Sequence, residues 1–89
     1  LREKANGIKS PALAEALNKY GLALMKQDRY EQAEAIYKKA MAIDKNEFGQ
    51  NSRQFAADLN RLGLLYLNQG KYETAEPLYQ SALQINLAL

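Results

Sequence analysis

The chain has 89 residues, 47% of them hydrophobic and 25% charged, with 12 Lys+Arg against 10 Asp+Glu. A net charge of +2 without clustered basic residues excludes the basic stripe that nucleic acid requires, and no apolar run reaches the ~18–20 residues of a membrane span. Cysteine and histidine are absent, which removes disulfides, thiolate nucleophiles, Cys/His zinc sites and imidazole bases together. Zero cysteines suit any compartment, Leu1-Arg2-Glu3-Lys4 lacks the apolar h-region of a signal peptide, and the cytoplasm is the location expected.

Four long helices and a remnant fit the pattern. Ser10-Pro11 is a start signal: a serine N-cap whose oxygen takes a free backbone N–H, then proline where its missing donor costs nothing. Leu13, Leu17, Tyr20 and Leu24 then recur at helical spacing, predicting a first helix over about Pro11–Gln27 with those residues inward. Asp28-x-x-Glu31 reads as a capping box for a second helix, Arg29–Phe48, with Tyr30, Ala33, Ile36, Tyr37, Ala40 and Ile43 inward. Gly49 is the first residue suited to a left-handed C-terminal cap. Asn51 or Ser52 restarts the chain into a third helix, Arg53–Gln69, which turns Phe55, Leu59, Leu62 and Tyr66 to the core. Asn68-Gln69-Gly70 makes the next turn, and a fourth helix, Lys71–Leu87, buries Tyr72, Ala75, Leu78, Tyr79, Ala82 and Ile85. Pro77 lies inside it and is expected to bend it, at a cost of up to ~3 kcal/mol.

These elements repeat. Shifting the chain by 42 residues gives 15 identities in 47 aligned pairs. Leu59-Asn60-x-x-Gly63-Leu64 echoes Leu17-Asn18-x-x-Gly21-Leu22. Tyr72-Glu73-x-Ala75-Glu76-x-x-Tyr79-x-x-Ala82-x-x-Ile85 echoes Tyr30-Glu31-x-Ala33-Glu34-x-x-Tyr37-x-x-Ala40-x-x-Ile43. A fixed period of this size marks an all-α stacked solenoid, in which each unit buries its apolar face against its neighbours. Residues 8–49 form one repeat and 50–89 a second, truncated at its C-terminal end. Leu1 to Gly7 align with Ile43 to Gly49, so residues 1–7 read as the tail of a preceding repeat in a longer array. Such chains bind other proteins along an extended surface and do no chemistry.

The spacing Leu17-x-x-Tyr20-Gly21-x-x-Leu24 followed by Ala33-x-x-x-Tyr37-x-x-Ala40 resembles the tetratricopeptide signature. Leu59-x-x-Leu62-Gly63-x-x-Tyr66 with Ala75-x-x-x-Tyr79-x-x-Ala82 resembles it again. Leucine stands at the family's tryptophan position (Leu17, Leu59), and Lys45 and Leu87 replace its usual proline. Gly21 and Gly63 are expected to let a neighbouring helix approach closely, with Ala33, Ala40, Ala75 and Ala82 opposite and Tyr37 and Tyr79 filling the gaps. Ordinary repeats of this family run about 34 residues. The excess here is about two helical turns, and the phrasing around Gly63 and Pro77 looks like the long-repeat subclass found in kinesin light chains. The resemblance implies a right-handed superhelical solenoid of α-α hairpins.

In that family the first helix of each pair lines the concave face. Outward positions are Glu15, Asn18, Lys19, Leu22, Met25 and Lys26 in the first repeat, and Ala57, Asn60, Arg61, Leu64, Leu67 and Asn68 in the second. Asn18 and Asn60 are the sharpest candidates, because an amide can pair with both groups of an extended peptide backbone. Lys19, Lys26 and Arg61 would suit an acidic or carboxylate-bearing peptide. Leu22, Met25, Leu64 and Leu67 would form an apolar floor, or else pack beneath the superhelix. The blander reading makes the asparagines and lysines solvated surface, most tyrosines core, and Glu34 and Glu76 solvent-facing or locally bonded. No phosphate loop, metal cluster or nucleophile–base pair stands against this. The expectation is therefore a non-enzymatic protein-interaction module binding a peptide partner, with no cofactor, metal, nucleic acid or membrane. The alternative is an architectural repeat that self-associates end to end. A site for C-terminal carboxylates is argued against by Leu22 and Leu64.

Overall fold

The computed structural model describes residues 10–89; the remnant expected over residues 1–7 lies outside them. Four helices follow in order: α1 (Pro11–Lys26), α2 (Tyr30–Phe48), α3 (Arg53–Asn68) and α4 (Tyr72–Ala88). There is no strand among the described residues. The serine starts are as expected: the Oγ of Ser10 accepts from the Leu13 N–H at 3.2 Å and that of Ser52 from the Phe55 N–H at 3.1 Å. Each satisfies one of the donors a helix start leaves free.

The turns inside the hairpins differ from expectation. Asp28 caps nothing at the start of α2. It takes φ 63°, in the left-handed region, one residue past the C-cap of α1. There the Arg29 N–H reaches the Leu24 carbonyl at 2.9 Å and the Asp28 N–H that of Met25 at 3.0 Å. These two bonds make a Schellman motif, which closes α1's free carbonyls. The same pair of bonds, Lys71 to Tyr66 and Gly70 to Leu67, closes α3 with Gly70 at φ 78°. The repeat thus puts aspartate where its twin has glycine. Gly49 has φ 90° and ψ 164°, a combination open essentially to glycine alone, instead of the left-handed helical cap. α4 runs on through Pro77, which cannot donate to the carbonyl of exposed Glu73 four residues back.

Packing is antiparallel between successive helices. At one end of the first hairpin Ala14 of α1 meets Ala40 and Ile43 of α2. At the other, Leu24 and Met25 share a cluster with Ala33 and Tyr37. Leu62 and Leu65 of α3 enter that second cluster, joining the hairpins. Ala56 and Leu59 pack with Ala82 of α4, and Met41 borders both clusters that reach α3. The extents, 44 × 34 × 14 Å, match a slab two helices deep, since ~8–10 Å between axes plus the ~4.6 Å width of a Cα cylinder gives about 14 Å.

Two tyrosines expected inside are outside. Tyr20 is 55% and Tyr72 65% exposed. Their repeat partners Leu62 and Tyr30 pack against the cluster at the junction of the hairpins; no helix among the described residues covers Tyr20 and Tyr72 in the same way. The glycines meet the tyrosines expected to fill the gaps beside them. A Cβ on Gly21 would lie 2.7 Å from Cε1 of Tyr37, and one on Gly63 3.1 Å from the Tyr79 ring. Each glycine thus makes room for a tyrosine ring of the partner helix.

Gly21→Ala should therefore destabilise by about 1–3 kcal/mol through overpacking against buried Tyr37, despite alanine's better helix propensity. Gly63→Ala should be near neutral, because half-buried Tyr79 can yield a few tenths of an ångström, and Gly63→Leu should be worse. Urea unfolding decides the order; a Gly21→Ala chain as stable as the parent contradicts the ring contact. Asp28→Gly should instead stabilise, by about 0.5–1 kcal/mol, by removing the left-handed strain of a residue with a Cβ, read as a higher melting temperature.

Candidate binding cleft

Residues three, four and seven apart share a helix face. Pro11, Ala14, Glu15 and Asn18 make such a stripe on α1, and Gln54, Ala57 and Arg61 one on α3. Between them lies a cleft of about 220 Å³, to which the C-terminal part of α2 contributes Asp44 and Phe48. Continuing the same stripes brings Leu22 on α1 and Leu64 on α3, both about two-fifths exposed. At the far end the Asn68 amide donates to the Met25 sulfur at 3.3 Å, tying α3 to α1.

The cleft is built over two buried acids. Asp58 is 2% exposed and Asp44 6%. Nη1 of Arg61 donates to Oδ1 of Asp58 at 3.0 Å, while Oδ2 finds no donor among the described residues. Burial pushes the Asp58 carboxyl up to about 7, helped by hydrogen bonding to Asp44 and by its negative charge, and opposed by Arg61 and Asn18. Two carboxylates offer only lone pairs to each other, so satisfying both means holding a proton between them.

A second polar contact pins the hairpins together. The Tyr66 hydroxyl donates to Glu34 Oε2 at 2.6 Å, and Lys38 stands 2.9 Å from the same oxygen. The Tyr66 hydrogen bond, then Lys38, lowers the Glu34 pKa, whereas burial and the Glu34 carboxylate push Tyr66 up to about 12. Glu34 thus bonds across the repeat junction, while its twin Glu76 accepts from Gln80 on its own helix.

Of the residues expected on the open face, Asn18 and Arg61 line the cleft together, with Glu15 and Ala57. Asn60, Lys19 and Lys26 are exposed but do not line it, and Leu22, Leu64, Leu67 and Asn68 are exposed beyond it. Met25 does not belong to the open face. It is 7% exposed and part of the core, because α3 covers it; its twin Leu67 stays exposed. The expected positive lining is also corrected. Arg61 is engaged by Asp58, Lys19 sits 4.0 Å from Glu15, and the cleft's own carboxylates are Glu15 and Asp44. Asp44 and Asp58 escaped the sequence reading, although Asp58 falls in phase with Phe55 and Leu62 on the inward face, and its repeat twin is Ala16.

Over residues 3–88 the chain matches the tetratricopeptide repeat family. With two helical hairpins of matching register, it belongs to that family, whose repeats are protein-interaction modules and typically non-catalytic. No curated protein matches the chain. No helix among the described residues is long and apolar enough to cross a membrane.

A carboxyl raised in the folded state adds stability that is full below its unfolded pKa, 3.8, and lost as pH rises through about 7. Asp58→Asn removes that slope. Relative to the parent it should gain on the order of 1–2 kcal/mol between pH 5 and pH 8, the exposed side of the Arg61 pair contributing little. Urea midpoints at the two pH values test this. An unchanged difference between variant and parent contradicts the buried acid pair.

Proposed function

We propose that this chain is a peptide-binding segment of a scaffold or adaptor, and that its ligand lies along α1 and α3. The observation that carries the reading is the cleft itself. Asn18, Arg61 and Asp44 converge there, and exposed Leu22 and Leu64 extend the two stripes beyond it, so polar groups that fix a backbone adjoin apolar positions that take side chains. The 42-residue period supports the long-repeat subclass resembling kinesin light chains, with the hairpins stacked in a right-handed superhelix around this face. A cytoplasmic adaptor suits this reading. Backbone amide shifts on titrating a peptide library are the test. Perturbations should gather at Asn18, Ala57, Arg61 and Leu64. Shifts confined to Lys38, Glu76 and other outer positions of α2 and α4 would reject the concave site.

A second reading rests on α4. Leu83 and Leu87 are exposed side by side, one turn apart, at 59% and 76%, whereas Leu83's twin Met41 is half-buried against α3. A helix of the first type laid on α4 would cover them, and a second copy offers one through α1 and Tyr20. Such head-to-tail contact generates open chains. Light scattering across a dilution series distinguishes the readings: mass that rises with concentration supports architecture, and a constant monomer mass rejects it.

A further inference from the structure

We propose that the cleft between α1, α2 and α3 takes an organic cation, the ammonium or guanidinium of a lysine or arginine side chain in the bound peptide, on the carboxylate of Asp44. This rests on the peptide-binding reading above and assigns its charge preference. Asp44 lines the cleft yet is more than nine-tenths buried, and the polar group that meets its carboxylate is another acid, Asp58, which at high pH has no proton to share. A buried carboxylate in that state is costly until a partner arrives. The charges around it favour a cation. α1 contributes Glu15, α2 contributes Asp44, and α3 contributes Asp58 and Arg61, whose guanidinium is already held by Asp58. The lining carboxylates Glu15 and Asp44 therefore face a guanidinium that Asp58 already engages, with Lys19 4.0 Å from Glu15, and Asn18 adds a carbonyl acceptor at the wall.

The occupant's size and type follow from the geometry. About 220 Å³ falls below the ~300–1,000 Å³ of sites for drug-sized ligands, but suits one long side chain entering from an open groove. No set of acidic residues among the described ones is grouped to hold a metal ion, which leaves a cation that brings its own hydrogen-bond donors. Apolar Ala14, Ala57 and Phe48 on the walls match the methylene stem of lysine or arginine.

The probes are capped pentapeptides of alanine whose central residue is lysine, arginine, norleucine or glutamate, titrated into the full chain and followed by amide shifts. At pH 8 the lysine and arginine peptides should bind at least about fivefold tighter than norleucine, with glutamate weakest. Their shifts should centre on Asn18, Ala57 and Arg61. The advantage should shrink below about twofold in Asp44→Asn, an isosteric change. Glu15→Gln, at an exposed position, should reduce it less, and serves where Asp44→Asn fails to fold. Equal binding of all four peptides at this face, or a preference for glutamate, overturns the cation site alone. Absence of shifts on α1 and α3 with every peptide overturns the groove reading with it.

Discussion

Each hairpin is set by a tyrosine ring of the second helix packed against a glycine of the first. Gly21 receives Tyr37 and Gly63 receives Tyr79, at the same position of the repeat. In the first hairpin, a side chain at Gly21 would hold the buried ring away and open a gap that the small residues Ala33 and Ala40, both fully buried, could not refill. The contact thus fixes the separation of the two helices. With separation fixed, Leu24 and Met25 reach Ala33 at one end while Ala14 reaches Ala40 at the other.

A different balance holds the hairpins to each other. The junction of α2 with α3 is apolar at its centre, where Tyr37, Leu62 and Leu65 meet, and polar toward its edges. On one edge Tyr66 bonds Glu34; on another Asn68 reaches Met25; under the cleft Asp44 and Asp58 lie together. The first two satisfy their partners and fix how one repeat sits on the next. The acid pair does the reverse. It buries charge without enough donors, which opposes docking of the hairpins at neutral pH. Burial of apolar surface at the centre outweighs it. The junction can therefore tolerate a local cost in order to keep acceptors under an open cleft.

Most of the fold was legible in the sequence because it is periodic. Helix boundaries came out within a residue or two, since Ser10-Pro11, Ser52, Gly49 and Gly70 punctuate the chain and the inward residues stay in phase. What the period could not give was the neighbour's identity. Tyr20 and Leu62, or Met25 and Leu67, occupy equivalent positions, yet their burial differs because, among the described residues, a helix of the other hairpin covers one of each pair. A residue-by-residue pattern describes the helix face and says nothing of what stands opposite. Asp28 misled for a related reason: the Asp-x-x-Glu spacing of a capping box is indifferent to the backbone conformation that Gly70, its twin, would have revealed. The cleft was half legible. Asn18 and Arg61 follow from helix geometry, whereas Asp44 became visible only when the end of α2 was placed beneath α1 and α3.

Two repeats in one chain also supply their own control. Where twins agree, as with Gly21 and Gly63 or Ala40 and Ala82, the hairpin itself demands the residue, and no further role is needed. Where they disagree, packing within the hairpin permits alternatives and something else has selected between them. Asp58 is matched by Ala16, and Asp44 by Asn86. Alanine shows that the position of Asp58 needs no polar group to make a helix, and an apolar side chain there would bury more favourably at neutral pH. Asparagine shows that the position of Asp44 needs no charge. Two departures from the repeat, 14 residues apart in sequence, nonetheless converge beneath one cleft, each raising the electrostatic cost of the other. Helix formation does not account for that convergence, because the twins Ala16 and Asn86 stand in helices of the same pattern without it. The cation site proposed above would, because a ligand that brings the missing donors recovers in the complex what the free chain forgoes.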